Sequence, residues 1–111
     1  MATRVGKVTR ENSGPIMVFW EGLLDNDVGA GVDVGRFVDK AAQTVGVFSA
    51  ATITWQGSMD NVVYGDIGAA VTQTDNTVKS IPALVKFIRP NAGAAGDANT
   101  DLDCFLLCME R

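Results

Sequence analysis

The chain has no histidine in its 111 residues. That single absence removes the commonest general base and the commonest metal ligand. Neither a Ser-His-Asp triad nor a Cys-His pair can be assembled. Cysteine is nearly absent too, with only Cys104 and Cys108, and two thiols without histidine cannot complete a tetrahedral zinc site. Basic residues are few: nine Lys and Arg against thirteen Asp and Glu leave a net charge of −4. Such a surface lacks the positive field that captures phosphates, so neither nucleic acid nor an anionic membrane is expected as a partner. No apolar run approaches the roughly 20 residues of a membrane-spanning helix. The opening residues, MATRVGKVTREN, have no apolar core and do not read as a signal peptide.

What is present is a moderately apolar chain, 47% hydrophobic, with twelve glycines breaking it into short runs. That composition argues against disorder and for a turn-rich fold. Residues 1–14 are polar, with Arg4, Lys7 and Arg10 against Glu11 alone, and read as an extended N-terminal arm leading to Gly14-Pro15. The alternative is a first edge strand through Thr3–Thr9. Residues 15–111 read as one β-sandwich domain. Ile16–Leu23 is a strand by its length and its Val, Phe and Trp content. Both of its faces are apolar, so it is either central in the sheet or buried at a subunit contact. On that ground Met17, Phe19 and Trp20 are candidate subunit-interface residues.

Asp25–Gly35 reads as a loop by its glycines and aspartates, and Ala42–Phe48 as a strand. Ala51–Gly57 alternates Ile53 and Trp55 with Thr52, Thr54 and Gln56, the pattern of a half-buried strand. A turn at Ser58–Asn61 then returns through a strand Val62–Ile67. Gly68–Ser80 holds at most one weak strand, and Ala83–Arg89 is a strand ended by Pro90. The last strand, Asp101–Met109, puts Leu102, Cys104, Leu106 and Cys108 on one face and Phe105 and Leu107 on the other. Four residues of strand rise about 13 Å, beyond the roughly 7 Å a disulfide allows, so the two thiols should stay unbonded. About seven short strands without a convincing helix give an all-β class, an antiparallel β-sandwich that is jelly-roll-like or a partly closed barrel.

The search for chemistry returns little. Asp97, Asn99, Asp101 and Asp103 are spaced like the start of a calcium loop, but Leu102 stands where that loop needs glycine. Solvated acids at the mouth of a strand are the simpler reading. Gly29, Gly31 and Gly35 miss the dinucleotide spacing and precede no helix. Lys79-Ser80 are adjacent and point to opposite faces. Trp20, Trp55 and Tyr64 offer a sugar platform, against core packing of Trp55 beside Ile53. No enzyme activity, metal or cofactor is expected.

One stretch carries a recognisable pattern. Residues 42–67, AQTVGVFSAATITWQGSMDNVVYGDI, followed by FIRP at Phe87–Pro90 and TDLDCFLLCMER to the end, resemble small tailed-phage virion proteins of the capsid decoration, or cement, type. The family form has Gln-Gly-Ser-x-Asp-Gly; here Asn61 takes the turn-glycine position, and Phe87 replaces a tyrosine. Residues 1–23 lie outside the resemblance. It implies a β-rich subunit on the outer capsid surface of a virion assembled in a host cytoplasm, with the major capsid protein as partner. A homo-oligomer is implied with it, a trimer at a symmetry axis. Within that reading Arg4, Lys7 and Arg10 are candidate capsid contacts, and removing residues 1–11 should leave a folded protein that no longer binds. A carbohydrate-binding or host-adhesion module is the alternative, and a head-completion or tail protein the next.

Overall fold

The computed structural model describes residues 3–10, 15–67 and 72–109. Twelve strand segments follow in order: β1 (Thr3–Arg4), β2 (Lys7–Arg10), β3 (Ile16–Leu23), β4 (Val28–Gly29), β5 (Val32–Asp33), β6 (Asp39–Val47), β7 (Ile53–Ser58), β8 (Gly65–Asp66), β9 (Thr72–Gln73), β10 (Lys79–Ser80), β11 (Phe87–Asn91) and β12 (Asp101–Met109). They form two sheets and no helix among the described residues, so the all-β sandwich stands. The first sheet runs β1-β4-β11-β7-β8, with β5 also on β11 and β9 also on β7. The second runs β10-β6-β12-β3-β2. Every pairing is antiparallel except β1 with β4. Six of the twelve segments are only two residues long, too short to leave an alternation in sequence, which is why about seven strands were legible.

The long strands follow their alternation closely. Along β12, Leu102, Cys104, Leu106 and Cys108 are all fully buried, and both thiols are free. Ile53 and Trp55 of β7 face them from the other sheet, so Trp55 packs in the core as its neighbours predict. Trp20 meets Trp55 edge-to-face with ring centroids 5.7 Å apart, a favoured aromatic geometry. The indole N–H of Trp20 donates to the carbonyl of Ala30 at 3.0 Å.

Strand β3 contains a break that simple alternation misses. Ile16, Val18 and Trp20 point inward, and the next buried side chain is Leu23, three residues on. Gly22 has φ +68°, and the register with β12 shifts between Leu102 and Cys104. This is a β-bulge: glycine takes the left-handed conformation, the chain gains a residue, and Leu23 is returned to the core. The carboxylate of Asp103 accepts the Gly22 N–H at 3.0 Å.

Residues 3–10 take the edge-strand alternative, not the extended arm. Thr3 and Arg4 pair with Val28 and Gly29 in the first sheet. Lys7–Arg10 pair with Ile16–Phe19 in the second. The chain crosses between sheets at Val5-Gly6, directly over Trp20. A Cβ at Gly6 would lie 2.8 Å from Trp20 Nε1 and 2.9 Å from Val18 Cγ1, so only glycine fits without displacement. Arg4 is further tied to Asp27 by an ion pair of 3.0 Å. Deleting residues 1–11 therefore removes an edge of each sheet and the cover of Trp20. The truncated protein is expected to unfold at lower urea concentration than the full chain; an unchanged midpoint would show these strands to be dispensable.

Two further expectations change. Pro90 lies inside β11, opposite Trp55, and does not end it. Its Cδ, bonded to the nitrogen, packs against Gly29, in the interval between β4 and β5 where no ladder N–H is required. Of the return strand Val62–Ile67, only Gly65–Asp66 pairs with β7. The preceding N–H groups are taken by side chains of the turn instead.

Candidate protein-contact face

The outer face of the second sheet is built from the residues that alternate with the core. β12 is its centre. Phe105 stands opposite Phe19 on one side and Gln43 on the other; Leu107 stands opposite Met17 and Ala41. The Phe19 and Phe105 rings stack with centroids 4.7 Å apart at 19°. On β2, Lys7 is opposite Phe19 and Thr9 opposite Met17. Met17, Phe19, Phe105 and Leu107 are half-buried in the single chain. Around them run exposed Glu21, Asp39, Asp101 and Met109. An apolar centre with a polar rim is the anatomy of a protein-contact surface.

This face brings together residues that the sequence kept apart and separates others. Met17 and Phe19 share it with Lys7, which had been assigned to a capsid contact. Trp20 does not belong to it. Adjacent residues of a strand point to opposite faces, and Trp20 is 0% exposed, held between Trp55 and Gly6, so it offers no surface to a partner subunit. Arg4 is also elsewhere, in the first sheet on Asp27. Arg10 pairs through its backbone with Ile16, and its side chain lies outside the described residues. Arg4 and Lys7 thus stand on different sheets. Phe105 and Leu107 had been read as one strand face, but their neighbours across the sheet become visible only with the β12–β3 register.

The other candidates are engaged locally. With Trp20 and Trp55 both buried, the tryptophans supply no sugar platform. Asp97 accepts the N–H of Asn99, and its pKa is lowered by hydrogen bonds from Ser49 and from Asn99. Asp25 accepts the Gly96 N–H, and Asp27 accepts the Leu24 N–H. Among the described residues no three potential metal ligands gather. Desolvation pushes the Cys104 thiol up to about 12 and the Cys108 thiol up to about 11, so neither supplies a ready thiolate nucleophile at neutral pH. Lys40 is a charge that the sequence did not mark: it lies 4% exposed, opposite Cys108. Its ammonium donates to the carbonyls of Phe37 and Val38. Burial lowers its pKa, while Cys108 and Asp39 act the other way.

No protein-family model matches the chain, and no curated protein matches it. Among solved structures, the SPBc2 prophage-derived protein YomS superposes with a TM-score of 0.66 at 12% identity, over 85% of this chain and 93% of that one. The likeness shows a shared fold. KdgF from Halomonas sp. superposes more loosely, at a TM-score of 0.47 and 13% identity over 96% of this chain and 78% of that one. A low-affinity xylan-binding module, CBM86, from Roseburia intestinalis reaches 0.42 at 13% identity, over 96% and 86%.

Proposed function

We propose that this chain is a structural subunit of a tailed-phage particle, a capsid decoration protein that attaches to the major capsid protein on the outer shell. The observation that carries the reading is the outer face of the second sheet, where Met17, Phe19, Phe105 and Leu107 form an apolar centre beside Lys7. The Gln-Gly-Ser and Arg-Pro segments support it, as does a fold shared with a protein described as prophage-derived. Docking would move that apolar centre out of water, at about 25 cal/mol for each Å² removed. A subunit that binds only the assembled shell shifts the equilibrium toward assembly by mass action. Nothing in that task requires a nucleophile, a metal or a cofactor.

The test is co-sedimentation of the purified protein with shells that lack it. The wild type should pellet with shells and raise their melting temperature. Phe19→Asp and Leu107→Asp place charges at the centre of the face and should reduce binding at least tenfold, with the protein still folded. Binding unchanged in both variants would overturn the assignment of this face. The number of copies in the purified particle decides the role: hundreds mean decoration, whereas a single ring means a connector or tail position.

A further inference from the structure

A second surface lies at the turn between β7 and β8, residues 59–64. Val62 is 79% exposed and Val63 73%, with Met59 beside them equally open to water. The turn that presents them is rigidly framed. The Ser58 hydroxyl oxygen accepts the N–H groups of Asp60 and Asn61 at 3.2 and 3.0 Å. One Asp60 carboxylate oxygen accepts those of Val62 and Val63, both at 2.9 Å, and also the Ser58 hydroxyl. Asn61 sits at φ +61°, and the Tyr64 hydroxyl donates to its side chain. The Arg89 guanidinium lies 3.9 Å from the Tyr64 ring centroid and is held by Gln56 at 2.9 Å. A polar frame therefore fixes three apolar side chains in water. A surface ordered in advance loses little further entropy on binding.

Next to it opens a cleft of about 810 Å³ between the two sheets. Val8 and Ile16 wall it from the second sheet, and Val32, Phe37 and Val85 from the other side. Val85 also borders the turn itself, so cleft and turn share one side of the molecule. Three charged residues line the cleft: Arg36, Lys86 and Asp33. Arg36 lies over the Phe37 ring at 4.7 Å, and Lys86 over the Phe87 ring at 5.5 Å. The Asp33 carboxylate is turned onto the Gly35 N–H at 2.9 Å. In a chain of net charge −4, the cleft is a locally basic place with an apolar wall. The turn is its complement, with Met59, Val62 and Val63 as apolar tips and Asp60 as an anionic base.

We propose that the Met59–Val63 turn of one copy seats in this cleft of a second copy. Acidic chains repel one another over most of their surfaces, so a contact between copies is favoured where signs are opposed, as they are between this turn and this cleft. Turn and cleft are different surfaces on one side of the molecule, so copies either exchange them about a two-fold axis or repeat the contact head-to-tail. A head-to-tail repeat closes into a ring where the rotation permits. The contact is separate from the Met17–Phe19 face and does not depend on the phage reading.

Sedimentation over a concentration series tests it with three variants. The wild type should associate, more weakly as salt is raised. Val62→Ser/Val63→Ser removes the apolar tips of the turn without changing its charge and keeps the cleft; Arg36→Glu/Lys86→Glu spoils the cleft and keeps the turn. Each should be monomeric alone, and an equimolar mixture should form pairs and nothing larger. Phe19→Asp should associate like the wild type even where it no longer binds shells. Tryptophan fluorescence from the buried Trp20–Trp55 pair reports folding, and Val62→Thr/Val63→Thr replaces the serine pair if that signal is lost. A monomeric wild type, a mixture that stays monomeric, or association abolished by Phe19→Asp would each overturn the proposal.

Discussion

Trp20→Ala is expected to cost about 3–5 kcal/mol of folding stability, out of a total on the order of 5–15 kcal/mol for a domain of this size. Three losses coincide at this residue. The fully buried indole leaves a cavity under the Val5-Gly6 crossover. Its edge-to-face partner Trp55, 5.7 Å away, loses half of the packed pair. The Ala30 carbonyl, 3.0 Å from the indole nitrogen, loses a donor inside the fold, and an unsatisfied buried acceptor costs about 1–3 kcal/mol where water does not replace it. Trp20→Phe separates these contributions, because it keeps most of the apolar volume and gives up the hydrogen bond. Phe19→Ala is the control on the same strand, and its half-buried ring should cost clearly less. Urea unfolding followed by circular dichroism checks the series. Equal losses at positions 19 and 20 would contradict the inward placement of Trp20.

Alkaline solution is expected to unfold this protein through its two thiols. Desolvation holds Cys104 up at about 12 and Cys108 up at about 11, from an ordinary 9.0. Above pH 9 the unfolded chain releases both protons while the folded chain keeps them. The unfolded state then binds fewer protons, and stability falls as pH rises. The contribution is whole below pH 9 and is lost as pH climbs through 11 to 12. Each thiol costs up to about 1.4 kcal/mol per pH unit in that window, so at most about 4 kcal/mol disappears between pH 9 and 11, Cys108 contributing less because its folded form begins to ionise there. Lys40 opposes this in part. Its pKa is lowered from 10.5 by burial, so the folded chain gives up that proton first and gains stability as pH approaches 10.5. Urea midpoints from pH 7 to 11 measure the balance. Cys104→Ala/Cys108→Ala should be less stable at pH 7 yet fall far less between pH 9 and 11, where only the opposed shifts of Lys40 and Tyr64 remain. The same steep fall in that variant would assign the alkaline loss to other groups.

The second prediction, and the Trp55 side of the first, rest on residues whose burial the sequence already indicated by alternation. Cys104 and Cys108 are the second and fourth residues along one face of a nine-residue strand, and Trp55 follows Ile53 across Thr54. Such positions are legible because strand geometry is local. Trp20 was misread for a reason equally local: an apolar strand with two good faces does not say which face is core. That choice fell to Trp55 across the sandwich and to the carbonyl of Ala30, ten residues away. The two-residue strands β4 and β5 were invisible because their partners lie far along the chain and their own sequences are loop-like. The same holds for residues 3–10, whose polar character suits an arm as well as an edge.

The candidate site divides in the same way. Met17 and Phe19 were named from sequence, and Phe105 and Leu107 were placed on one face. That these four form one surface with Lys7 follows from the β2–β3–β12 register alone. The turn at Ser58–Asn61 was expected as a turn. That Asp60 would hold Val62 and Val63 in water, beside a cleft carrying Arg36 and Lys86, was not.

By itself the sequence determined the all-β class, the long strands and the inert thiols, and the missing histidine excluded His-based catalysis. Each of these depends on residue type or on a period of two, which neighbouring residues carry between them. Tertiary structure alone decided which face of β3 is buried, that residues 3–10 close both sheet edges, and where exposed apolar groups gather. Those depend on the register between distant strands and on a bulge at Gly22, and neither leaves a periodic trace in the chain.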